Sequence, residues 1–145
     1  MAAVQNKRHF TQWAAQFAVA SELCKRGYEV SFTLGHNTPL ADLMVISPKN
    51  HKMFLIDVKG LAGKNYWQIA RKEQRDDLFY VLALMPEGTS NEFFIMTQEA
   101  VNAGISAEFA RLKPEKQALT EKANRLGLRW GDARPFLGCW DTLPA

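Results

Sequence analysis

The stretch Phe54-Leu55-Ile56-Asp57-Val58-Lys59 constrains this chain more than any other. It has the apolar, β-branched character of a buried strand, yet it carries a carboxylate and an ammonium two residues apart. Side chains alternate across a strand, so Asp57 and Lys59 share one face and Ile56 and Val58 the other. Charges in such a strand are costly unless something compensates them. The segment Leu40-Ala41-Asp42-Leu43-Met44-Val45-Ile46 repeats the anomaly with Asp42. Two apolar strands that each give a position to an acid point to a metal-ion site as well as a core.

The rest of the chain gives these strands an ordinary globular setting. At 145 residues, 47% hydrophobic and 23% charged, it has the length and composition of a single domain, 1–145, with a sizeable core. The net charge of +3 is compatible with a polyanionic partner without demanding one. Basic residues are scattered, so folding must assemble any phosphate-binding surface. Cys24 and Cys139 have no zinc spacing, and Cys24 reads as a small buried hydrophobe. The first residues lack a signal-like apolar segment, and no apolar run approaches the ~20 residues of a membrane span. A cytoplasmic protein with no membrane association is the expectation.

The element order follows from periodicity and punctuation. Phe10, Trp13, Ala14, Phe17, Ser21 and Cys24 recur at helical spacing, which predicts a helix over Thr11 to Arg26 stopped by Gly27. Strands are expected at 28–33, 40–46 and 53–58, joined by short turns as an antiparallel meander. Two more follow at 78–85 and 92–96. Thr97 is placed to cap a short helix, and the Lys/Glu/Ala-rich region 114–126 reads as a surface helix ending at Gly127. Trp130, Phe136 and Trp140 are expected to dock the C-terminal tail on the sheet. The fold class is therefore α/β, an N-terminal helix and then a mixed sheet of about five strands flanked by helices.

A helix ending in Gly27-Tyr28, then Asp42 opening one apolar strand, then Ile56-Asp57-Val58-Lys59 closing the next, resembles the PD-(D/E)XK nuclease superfamily. The resemblance runs from Trp13 to Met96. It is strongest to small members such as the archaeal Holliday-junction resolvases and other restriction-endonuclease-like proteins. It implies a restriction-endonuclease-like core and a metal-dependent DNA endonuclease. Asp42 matches the first acidic position, Asp57 the second, and Lys59 the lysine. Gln16 stands where many members carry a helix glutamate, and Ala41 replaces the proline that commonly precedes the first acid.

Such chemistry needs a cation that neutralises the phosphate and activates water. The resemblance implies Mg²⁺, with Mn²⁺ as a substitute, held by Asp42, Asp57 and the Val58 carbonyl. Magnesium favours oxygen ligands and retains several waters, so a small donor set suffices. Lys59 would position water and stabilise the developing phosphorane charge, and Gln16 would hydrogen-bond a metal-bound water. DNA is the implied partner, and a homodimer is an expectation by family analogy.

The residues alone leave plainer readings open. Asp57 and Lys59 also fit a same-face ion pair at a sheet edge, and Asp42 a turn-to-strand cap. Gln16 fits a surface amide, and His9, His36 and His51 fit a wetted surface. Tyr66-Trp67 lies among Lys64, Arg71, Lys72 and Arg75, a mix that fits nucleic-acid contact as well as packing on the sheet. The alternative function is a nuclease-fold module, catalytically weak or inactive, that binds nucleic acid or a protein partner.

Overall fold

The structure, a computed structural model, describes residues 2–33 and 39–145, the side chains of residues 2–6 excepted. The chain is α/β. Helix α1 (Ala2–Lys25) precedes a five-stranded mixed sheet in the order β1-β2-β3-β5-β6. Strands β1 (Glu29–Phe32), β2 (Leu43–Ile46) and β3 (Met53–Leu61) form the expected antiparallel meander. Strand β5 (Leu78–Leu84) runs parallel to β3, and β6 (Glu92–Thr97) returns antiparallel beside β5. This order is compatible with the nuclease-like core that the resemblance implies.

The parallel β3–β5 pair needs a crossover, and the chain from 62 to 77 supplies it. Part of that crossover is a short strand, β4 (Tyr66–Gln68), which pairs with β7 (Gly127–Arg129) as a separate two-stranded sheet. Between β6 and β7 lie α2 (Gln98–Ala110) and α3 (Pro114–Lys122), and the tail opens with α4 (Trp130–Ala133). Thr97 caps α2 as expected, its hydroxyl accepting from the Ala100 amide at 3.1 Å.

The middle of the sheet is buried on both faces, whereas most of β1 and Met44 of β2 are exposed. On one, Ala15, Val19 and Leu23 of α1 pack on Leu43, Val45, Phe54, Ile56, Val58 and Val81. On the other, Tyr80, Leu82, Phe94 and Met96 meet Trp67, Val101, Ile105 and Leu128. Central β5 is almost wholly apolar because both its faces are covered.

Several expectations are corrected. The buried stripe of α1 is Ala15, Val19 and Leu23, whereas Phe10 and Phe17 are 68% and 60% exposed and Cys24 is exposed. Two stripes at helical spacing coexist here, and the smaller side chains face the sheet because the sheet comes close. Gly60 of β3 marks that approach: a Cβ there would meet Ala15 Cβ at 2.8 Å. Gly127 begins β7 and does not stop a helix. A Cβ at Gly127 would lie 1.9 Å from the Trp67 carbonyl oxygen. Helix α3 ends earlier, and Asn124 beyond it takes the left-handed conformation at φ 51°.

The tail docks as expected. Trp140 packs beside Phe93 under the Arg26 guanidinium, and the Tyr28 hydroxyl donates to Pro144 O at 2.8 Å. Among the described residues, no helix is long and apolar enough to cross a membrane.

Candidate active site

The site forms where β2 and β3 part company. Their ladder ends at the pair Leu43–Ile56, while β3 continues to Leu61. Beyond Ile56 the freed edge of β3 needs partners for its peptide groups. Side chains supply them. The Asp42 carboxylate accepts from the Val58 amide at 2.7 Å. The Gln12 amide donates to Val58 O at 2.7 Å and accepts from the Gly60 amide at 3.0 Å. Gln12 thus replaces a missing strand with one side-chain amide and ties α1 to β3.

Asp42 is held at the mouth of β2 by its own backbone. Its amide donates to Ile56 O at 2.9 Å, and its carbonyl accepts from the Thr33 amide at 2.9 Å. These bonds turn its carboxylate towards α1 and β3, where Gln16 Nε2 donates to Oδ1 at 3.3 Å. Asp42 is therefore more than a strand cap, and Gln16 is not a free surface amide.

Asp57 sits on the neighbouring strand, only 2% exposed. Lys59 Nζ lies 3.1 Å from its Oδ1, as alternation along β3 dictates. The Lys72 ammonium takes Oδ2 and also donates to Leu40 O at 2.7 Å. Lys72 comes from the crossover and reaches Asp57 across the sheet face, beside the Tyr80 ring. Gln98 at the start of α2 anchors that crossover: its buried amide accepts from the Arg75 amide at 2.7 Å and donates to Glu73 O at 3.0 Å.

Sequence pattern alone puts Lys72 within a basic stretch and gives Gln12 and Gln98 no distinguishing mark. Gly60, breaking an apolar strand, was the one available sign of the close helix approach behind Gln12. Trp67 is a packing residue, 1% exposed and set edge-on against Phe94. Arg75 pairs with Asp77 at 2.8 Å and does not line the cavity of Asp42 and Asp57. His9 lines the site cavity; His36 lies outside the described residues.

Asp42, Asp57, Lys59 and Gln16 open into one cavity of about 520 Å³, walled also by Gln12, Trp13, Pro39 and Lys72. Burial pushes the Asp42 carboxyl up to about 6, and the Asp57 charge and a hydrogen bond with Asp57 push the same way. The Val58 amide and Lys59 pull it down without prevailing. The two acids therefore conflict as anions. A divalent cation resolves such a conflict, and two carboxylates meet the usual protein contribution to a Mg²⁺ site. The Val58 carbonyl keeps a second lone pair beyond the one used by Gln12. Among the described residues, no group of three or more His, Cys, Asp or Glu stands together as a metal cage. With both Asp57 oxygens already on ammonium groups, this donor set is too sparse for a tight structural ion.

No protein-family model matches the chain, and comparisons with curated proteins and with solved structures return no match. The functional reading therefore rests on the residues and their geometry.

Proposed function

We propose that the protein is a divalent-metal-dependent nuclease of the PD-(D/E)XK type that hydrolyses phosphodiester bonds in DNA. One observation carries this reading: two carboxylates line one cavity together with a lysine that is bound to one of them. Asp42 and Asp57, with the Val58 carbonyl, would hold Mg²⁺ or Mn²⁺. When bound, such an ion neutralises phosphate charge and makes a water acidic enough to attack near neutral pH. Lys59 is about a third exposed, so its ammonium can reach a phosphate oxygen and stabilise charge as it develops. Lys72 neutralises Asp57 from the protein side and holds its carboxylate in one orientation. Gln16 orients Asp42.

The test is incubation of purified protein with single-stranded, duplex and branched DNA in Mg²⁺ or Mn²⁺. Cleavage that Asp57→Asn abolishes is expected. No cleavage of any form, or cleavage unchanged by Asp57→Asn, overturns the proposal.

A second reading has its own support. Both Asp57 oxygens are engaged by ammonium groups, and Gln16 is neutral where the resemblance expects an acid. These features weaken the pull on a cation and fit a nucleic-acid-binding module without efficient catalysis. Calorimetry separates the two: absence of Mg²⁺ binding, alongside salt-sensitive DNA binding, selects the module.

A further inference from the structure

A second cavity adjoins the first. It measures about 610 Å³ and is lined by Lys7, Arg8, Lys59 and Lys64, with Tyr66 on its wall. No carboxylate lines it among the described residues. The chain is nearly balanced in charge, with 18 basic and 15 acidic residues, so four cations gathered without an acid are a local concentration. They converge from two distant places. Lys7 and Arg8 come from the N-terminal half of α1, and Lys59 and Lys64 from β3 and the turn after it. Folding builds the basic surface that the scattered sequence lacks.

The two cavities share Gln12 and Lys59 on their walls. Lys59 is thus the last cation of the basic cleft and the lysine of the acid site. We infer that the cleft is the track for a single nucleic-acid strand, whose phosphates pass Lys64, Lys7 and Arg8 and reach Lys59 at the Asp42–Asp57 pair. This inference rests on the proposed nuclease reading and names its substrate class, unpaired strands or tails. Positive grooves that follow one backbone, with aromatic rings for the bases, are the usual physics of single-strand binding. The Tyr66 ring is fixed for such contact by its hydroxyl, which donates to Arg125 O at 3.0 Å. Access favours one strand over two. Asp57 is almost wholly buried and lines the first cavity together with Gln12, Trp13 and Gln16 of α1 and with Pro39 and Lys72. A flexible strand can bring a phosphate to a carboxylate that is only 2% exposed more readily than a rigid duplex can.

The experiment is fluorescence anisotropy in EDTA, so binding is read without cleavage. The probes are a labelled thymidine 20-mer and a blunt duplex of equal length. The proteins are wild type, Arg8→Gln/Lys64→Gln, and Lys116→Gln/Lys122→Gln on the exposed face of α3 as the charge control. Wild type is expected to bind the single strand at least tenfold tighter than the duplex. The cleft variant is expected to lose about tenfold and to flatten the log K against log salt slope by about 1.4, with two fewer phosphate contacts. The control should keep the wild-type affinity for the single strand. Circular dichroism and Tm of both variants establish that they fold. Equal or tighter duplex binding, an unaltered cleft variant, or an equal loss in the control overturns the inference. Its failure is distinct from that of the nuclease reading, which is decided by cleavage in metal. Strand-selective binding without cleavage keeps the track and removes the enzyme.

Discussion

Asp57 has two cationic partners, and they are not equivalent. Lys59 is partly solvated and faces both cavities, whereas Lys72 is the more enclosed and also bonds a backbone carbonyl. Lys59→Ala is therefore expected to lower cleavage by about a hundredfold or more, as for loss of a group that stabilises transition-state charge, with a smaller loss of Tm than at Lys72 because the Lys59 side is the more solvated. Lys72→Met leaves a buried carboxylate with one partner fewer and should cost about 1–3 kcal/mol in urea denaturation. Similar Tm losses for both variants would contradict this division of roles. Asp57 and Lys59 were legible in the sequence because strand alternation sets the face they share, and Asp42 because it interrupts an apolar run, although backbone bonds at the mouth of β2 set its direction. Lys72 was not, because its partner is chosen by the path of a crossover with no regular structure. Nor was Gln12, whose role exists only because β2 ends before β3 does. Local pattern specifies a residue's face; it does not specify which distant backbone will lack a partner.

At the scale of elements, the site depends on how closely α1 lies against β3. The sequence showed a helix there but assigned it the wrong face, since the aromatic stripe of Phe10 and Phe17 outweighs Ala15, Val19 and Leu23 in apolar bulk. Proximity reverses that choice, because only small side chains fit opposite Gly60. Gly60→Ala would set a methyl 2.8 Å from Ala15 Cβ and 3.1 Å from Thr11 O. The helix must then shift, at about 1–3 kcal/mol, and Gln12 and Gln16 shift with it. Cleavage should fall with stability, and a Gly60→Ala/Ala15→Gly double variant should recover part of both. If it recovers neither, the close approach is not what positions the site. The small β4–β7 sheet was invisible for a related reason. Three-residue strands carry too little alternation, and Gly127 read as a helix stop although its lack of a side chain admits the Trp67 backbone. Gln98→Ala belongs to this scale as well. It frees the crossover segment that carries Lys72, so it should reproduce part of the Lys72→Met defect from outside the cavity, measured by the same denaturation and cleavage assays.

For the whole molecule, the partial burial of Asp42, with the Asp57 charge beside it, becomes a dependence of stability on pH. Burial pushes the Asp42 carboxyl up to about 6 in the folded protein, above its ordinary value of 3.8. A raised carboxyl means that the native state holds the proton more tightly than the unfolded chain. Its contribution to stability is full below about pH 4 and is lost as pH rises through about 6. The upper bound on that loss is about 3 kcal/mol. Glu22 and Asp77 act in the opposite direction, since Arg26 and Arg75 hold their carboxyls below the usual range. A comparison with Asp42→Asn cancels those contributions. In EDTA, wild type should lose stability relative to Asp42→Asn between pH 5 and pH 7.5, as read by urea denaturation. Saturating Mg²⁺ should restore wild type at pH 7.5, because a ligand of the native state alone stabilises it by mass action and displaces the proton. Asp42→Asn should respond little to the ion. A wild type that instead gains on the variant with rising pH, without metal, would mean that Lys59 and the Val58 amide already satisfy the Asp42 anion, leaving the cation nothing to relieve.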